Sequence, residues 1–397
     1  ILGGLAPALT LLAAGLVVIF GGIMALKQFQ HQWVAQVIND NQVLAKTIAA
    51  EFEARFNDRL RLLRQQALDP EWPALLGQPP DASTQDRLRE KLQRLYQAHG
   101  EQRLRRWSIA DGDGFSRSVY GRMPSGNVEA DETNDQNIAW RGWFNGIEDE
   151  PASKANGNRD EAVQKAHERL LARRDGGGYT AFLSQPYRRQ SKDPARELWV
   201  LSVSCVVPPQ GPAAPAGVLA GQIDYREFNE AFARFESSAI FQRKVIVANE
   251  RGQTMYHERL AAQTKKDETS AEVRQIDLKQ KEHAFVAQVF NRPAPGGVEP
   301  AQAGKNPSPV AYKDPWYTRE DNTWYFVSRT AANLANGQKL AVLVLHDKDV
   351  ALAGFVDAER YALWLGFSLL GVGCAVLVGN IWLLRRMLRH EDISADA

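Results

Sequence analysis

The sequence is short of cysteine, of metal-binding clusters and of net charge, and each shortage excludes a class of function. Two cysteines, Cys205 and Cys374, are spread over 397 residues. No disulfide framework holds such a fold, which must be stable by core packing alone. Lys+Arg number 48 and Asp+Glu 47. Without a global positive field, nucleic-acid binding is not expected. Signatures of catalysis are also lacking. HERLL at 167–171 has Leu171 where a zinc-protease helix needs its second histidine. DGDG at 111–114 is followed by Arg122 where a calcium loop closes with glutamate, and HDKD at 346–349 reads as a solvated strand end. There is no Gly-rich phosphate loop, nucleophile elbow or kinase signature. No catalytic residue, metal or cofactor is expected within these residues.

Two segments lack formal charge altogether. Residues 1–26, ILGGLAPALTLLAAGLVVIFGGIMAL, and 361–384, YALWLGFSLLGVGCAVLVGNIWLL, are apolar and rich in small residues. Helices of this length at about 1.5 Å per residue exceed or match a hydrocarbon core of about 30 Å. Gly, Ala and Ser allow such helices close approach. A signal peptide is the alternative for the first, but it lacks a basic leader and is long for an h-region. Arg385, Arg386 and Arg389 follow the second span, which predicts a cytoplasmic tail at 385–397 and residues 27–360 on the outer side.

What lies between the spans is mixed. Trp33, Val37, Leu44, Ile48, Phe52, Phe56, Leu60 and Leu63 recur at helical steps, which predicts one long helix over 27–66, a stalk able to pack on its own domain and to pair with a second copy. Four prolines in LDPEWPALLGQPPDAS at 68–83 break it. A helix from Thr84 to Ala98 follows. The period then changes. LRRWSIADGDGFSRSVYG at 104–121 reads as a hairpin around an Asp-Gly turn, and GYTAFLSQPYR, LWVLSVSCVV and AGVLAGQIDY read as strands. A helix is expected at 226–237. KVIVANERGQTMYH from Lys244 opens a second strand set that TWYFVSRTA and KLAVLVLHD complete. The fold class expected is α+β, with two antiparallel-sheet modules in series: 67–238 and 239–356.

WRGWFNG at 140–146, FLSQPYRR at 182–189, LWVLSVSCVV, GVLAGQIDYREF and VIVANERGQTMYH together resemble the double-Cache (PAS-like) sensor domains of bacterial transmembrane receptors. The resemblance spans about 30–350 and both flanking spans. It implies an inner-membrane receptor whose periplasmic, membrane-distal module binds a small molecule and signals to an output domain outside these residues; the stalk pattern adds a homodimer paired through the stalk and the spans. It implies Arg141 and Trp143 for a ligand carboxylate, Phe144 as an aromatic neighbour and Tyr187 as the pocket tyrosine. The ammonium half of the amino-acid-binding pattern is not matched. Arg189 and Gln222 stand where acids are found, Gln136 stands where a tyrosine is, and Asp224 lies close to Gln222. An anionic or carboxylate-bearing ligand is therefore expected at Arg141, Trp143, Phe144, Tyr187, Arg189, Gln222 and Asp224.

Other readings of the same residues stand beside these. Arg141 can be a structural arginine paired with Glu148 or Asp149. Trp107, Tyr120 and Tyr187 can be core residues. The insert at 147–178, with its helix over 160–174 ending at Gly176, Gly177 and Gly178, can be a lid over the pocket or a surface decoration. A different class of function is a membrane-anchored docking component that binds a protein partner.

Overall fold

The structure, a computed structural model, describes residues 2–122, 128–130, 138, 141–146, 159–175, 178–179, 181–184, 187–188, 199–209, 215–225, 243–250, 254–257, 289, 311–313 and 324–395. It divides into two compact units. One comprises Ile1–Asn41, Pro307–Val327 and His346–Ala397, the other Gln42–Asn306 and Ser328–Leu345. The helix expected at 226–237 lies outside the described residues.

The larger unit begins within helix α1 (Leu2–Ala67). The part of the apolar stripe from Ile48 onward is its buried face: Ile48, Phe52, Phe56, Leu60 and Leu63 are at most 2% exposed, while Trp33 is 39% exposed and Leu44 half-buried. The proline-rich break folds into α2 (Glu71–Leu76), and α3 (Ala82–Arg103) follows. α3 starts before Thr84 because Asp81 accepts a hydrogen bond from Thr84 N at 2.7 Å and caps it. Lys91, on α3, pins the break: its Nζ lies 2.6 Å from both Asp69 and Glu71 and over the Trp72 ring.

Next come β1 (Arg106–Asp111), β2 (Ser116–Arg122), β3 (Val128–Ala130), α4 (Gly142–Asn145), α5 (Arg159–Ala172), β4 (Arg174–Asp175), β5 (Gly178–Tyr179), β6 (Ala181–Leu183), β7 (Tyr187–Arg188), β8 (Trp199–Val207) and β9 (Gly217–Asp224). They form an antiparallel sheet of order β3-β2-β1-β9-β8-β6, with β7 also on β8. The Asp-Gly turn is as expected: Phe115 N donates to Asp111 Oδ1 at 2.8 Å, and Gly114 takes φ 85°. One face of this sheet packs on α3. Trp107 is fully buried near His99, and Tyr120 meets Tyr96 edge-on, so both serve the core. A Cβ at Gly221 would lie 2.5 Å from Leu104, so the close approach requires glycine.

The second sheet takes β10 (Arg243–Asn249), β11 (Thr254–His257), β12 (Ala311–Lys313), β13 (Trp324–Asn333) and β14 (Lys339–Asp347). In the larger unit its order is β11-β10-β14-β13. β14 is interior and buried from Leu340 to His346. The expectation of a solvated HDKD is thereby corrected: His346 is 2% exposed, because it ends an interior strand, and only the residues after it reach water.

In the smaller unit, β12 pairs with the start of β13, Ala311 opposite Phe326. Helix α6 (Lys348–Ala395) begins at Asp347, whose Oδ1 accepts from Asp349 N and Val350 N. Trp33 Nε1 donates to Ala351 O at 2.9 Å, and Val34, Val37, Phe326 and Leu352 form an apolar cluster there. Both long helices are apolar and long enough to cross a membrane. They touch through small residues: a Cβ at Gly366 would lie 2.2 Å from Ile19. Phe20, Met24, Trp364 and Phe367 point outward and are more than half exposed.

Candidate ligand-binding site

The face of the first sheet turned away from α3 carries the site. Register places Val200, Ser202, Ser204 and Val206 of β8 beside Asp224, Gln222, Ala220 and Val218 of β9. Arg106, Ser108 and Ala110 of β1 continue three of those rungs. One rung is thus apolar, Ala110–Val218–Val206. The next, Ser108–Ala220–Ser204, and the one after, Arg106–Gln222–Ser202, are polar. Arg106, Ser108, Ser202 and Ser204 are buried. The Ser108 hydroxyl is buried without a hydrogen-bond partner among the described residues.

Over this face sits α4, with the WRGWFNG segment. Ile138 N donates to Gly114 O at 2.7 Å, Arg141 N to Ile138 O, and Phe144 N to Arg141 O, a turn that leads into the helix. Arg141 is half-buried just before α4. Trp143 and Phe144 are 5% and 0% exposed and join one cluster with Val200, Val206, Val218 and Ala220. Their rings meet edge-on at 6.4 Å, so two successive helical residues both reach the sheet.

Arg173 holds this arrangement, and sequence reasoning missed it. Its Nη1 donates to Trp143 O at 3.1 Å and Phe144 O at 2.9 Å, and its Nη2 donates to Ser204 O and Ser204 Oγ. Ser204 Oγ donates to Trp143 O at 2.5 Å. A cation thus satisfies the carbonyls that end a short helix and ties them to β8. Burial pulls the Arg173 pKa down to about 10, which leaves it charged at neutral pH. Gly146, after α4, takes φ 72°, and a Cβ there would meet Arg173 Cδ at 2.9 Å. The sequence signal was weak: an arginine at the end of a helix reads as a complement to its dipole. The described part of the 147–178 insert thus packs into the cluster on this face. α5 buries Ala166 and Leu170 in the same cluster and delivers Arg173 to the end of α4. His167 of HERLL bonds to Asp113 at 2.9 Å.

The remaining predicted residues divide. Tyr187 is the register partner of Val200, which also pairs with Asp224, so three strands bring these positions together. Gln222 is half-buried between Arg106 and Ser202. Asp224 is buried and bridged by Arg105 at 2.9 Å. Arg189, Gln136, Glu148 and Asp149 lie outside the described residues. No cluster of three or more His, Cys, Asp or Glu suited to a metal occurs among the described residues.

No protein-family model matches the chain, and no curated protein does. Solved structures similar to it include a chemotaxis protein and ligand-binding domains of bacterial chemoreceptors. A methyl-accepting chemotaxis protein X is 12% identical with a TM-score of 0.47, over 79% of this chain and 98% of that one. The ligand-binding domain of the Pseudomonas fluorescens chemoreceptor CtaA, in complex with L-isoleucine, is 12% identical with a TM-score of 0.43, over 83% of this chain and 98% of that one. That of the Pseudomonas aeruginosa amino acid chemoreceptor PctB, in complex with L-arginine, is 14% identical with a TM-score of 0.44, over 82% of this chain and 93% of that one.

Proposed function

We propose that this chain is the sensory part of a bacterial inner-membrane receptor. Residues 27–360 are periplasmic, with 67–238 as the membrane-distal and 239–356 as the membrane-proximal module, and the output domain lies elsewhere. The distal module binds a small anionic or carboxylate-bearing molecule, and the receptor works as a homodimer paired through α1 and the spans. The observation that carries the reading is the fixing of α4 by Arg173 and Ser204 above polar, buried rungs of the sheet. That fixing gives Arg141 a rigid base from which to meet a ligand. A guanidinium offers a planar fork that matches a carboxylate bidentately, and each charge-assisted bond nets about 1.5–3 kcal/mol. The buried Ser108 hydroxyl is a further donor on the same face. Asp224 is already bridged by Arg105 and Gln222 is neutral, which favours an anion over an α-amino acid.

The test is a thermal-shift screen of the full chain in detergent against small mono- and dicarboxylates, amino acids and neutral analogues. Carboxylates are expected to stabilise the wild type, and Arg141→Ala is expected to abolish that shift while leaving the unliganded transition in place. A shift that survives in Arg141→Ala, or a screen in which no carboxylate stabilises, contradicts the proposal.

A further inference from the structure

The tip of the β13–β14 hairpin makes more directed polar contacts than packing requires. Gln338 Oε1 accepts from Leu183 N at 2.7 Å, and its Nε2 donates to Leu183 O at 3.1 Å. One side-chain amide thereby supplies both bonds that a neighbouring strand makes to a single residue. Asn336 Nδ2 donates to Ala181 O at 2.9 Å and also to Gln338 Oε1, which holds the Gln338 amide in place. The strand so gripped is β6, the edge of the site's sheet. Its Phe182 ring lies 5.8 Å from the Arg173 guanidinium, and Ser184 just beyond it exchanges bonds with Ser202.

The same hairpin is gripped by α1. Glu53 Oε1 accepts from Asn333 N at 2.5 Å, Asn57 Oδ1 from Ala335 N at 2.6 Å, and Gln42 Nε2 donates to Arg329 O at 2.9 Å. From Gln42 to Glu53 helix α1 advances about 16 Å, and from Arg329 to Asn333 strand β13 advances about 13 Å. Helix and strand therefore run side by side in matched steps. Apolar packing alone would let the strand slide; side chains bonded to individual backbone groups fix its position residue by residue.

We propose that the Asn333–Gln338 tip is a strut that couples β6, the edge of the proposed ligand site, to α1. Gln338 and Asn336 are positioning residues for that edge, and Glu53 and Asn57 are the points at which its position reaches α1. The strut matters for signalling only if the ligand reading holds, but the coupling is a property of the unliganded chain.

Hydrogen exchange of the full chain in detergent, without ligand, tests it. Gln338→Ala is expected to speed exchange at Leu183 about tenfold, the loss of one well-made bond, and to speed Asn333 and Ala335 several-fold as well. Asn57→Ala is expected to do the converse, speeding Leu183 as well as Ala335. Protection of β14 amides reports that the fold is intact. Should Gln338→Ala lose that protection, Gln338→Met, which keeps the length of the side chain but loses both bonds to Leu183, takes its place with the same expectation. Effects confined to Ala335 in Asn57→Ala, or to Leu183 in the Gln338 variant, overturn the strut. Since no ligand is used, failure of the Arg141 screen and failure of this coupling are separately visible.

Discussion

β8 and β14 are both interior strands, buried from Val200 to Val207 and from Leu340 to His346, yet they are built differently. β14 runs Leu340, Ala341, Val342, Leu343, Val344, Leu345 with no hydroxyl. β8 interrupts an equally buried run with Ser202 and Ser204. A buried hydroxyl without a partner costs about 1–3 kcal/mol, so an interior strand carries serine where partners are supplied. Ser204 has Arg173 and Trp143 O. The contrast separates a sheet whose interior strand only fills space from one whose outer face organises a segment above it.

The largest effect that would sharpen this contrast is at Arg173. Arg173→Met is expected to cost about 3–5 kcal/mol, because it leaves the Trp143 and Phe144 carbonyls and the Ser204 hydroxyl short of their buried partner. Chemical denaturation should show it, and equal stability of variant and wild type would break the account of α4. Next, the two strands can be exchanged in character. Val344→Ser in β14 is expected to cost about 2–4 kcal/mol, since it adds a hydroxyl with no arranged partner and removes buried methyls. Ser204→Ala in β8 should cost only about 1–2 kcal/mol, as the Arg173 bonds to the carbonyls remain. A reversed order of the two would refute the comparison. Smaller again is a pair of glycines with similar backbone strain. Gly146→Ala, whose Cβ would strike Arg173, should cost about 2 kcal/mol, and Gly337→Ala, φ 84° with open space around it, about 1 kcal/mol.

Much of the fold was legible. The uncharged runs, the stripe from Ile48 to Leu63 and the period-two strands each depend on local pattern, and each forms as read. What was not legible depends on long-range partners. Nothing in LLARRDGGG distinguishes an arginine facing water from one that caps a helix 29 residues earlier. Nothing in LANGQKL announces that Gln338 will bond to Leu183. The burial of both Trp143 and Phe144 follows from the sheet beneath a single helical turn, which the dipeptide alone does not encode. His346 reads as a solvated charge until its strand is known to be interior.

The central claim is that α4 is held rigid so that Arg141 can meet an anionic ligand. It is tested most directly by calorimetric titration of the best carboxylate from the screen into wild type, Arg141→Lys and Arg141→Ala. The account predicts affinity weakened roughly tenfold for lysine, which keeps the charge but loses the planar fork, and beyond detection for alanine. Equal affinity in all three would contradict it.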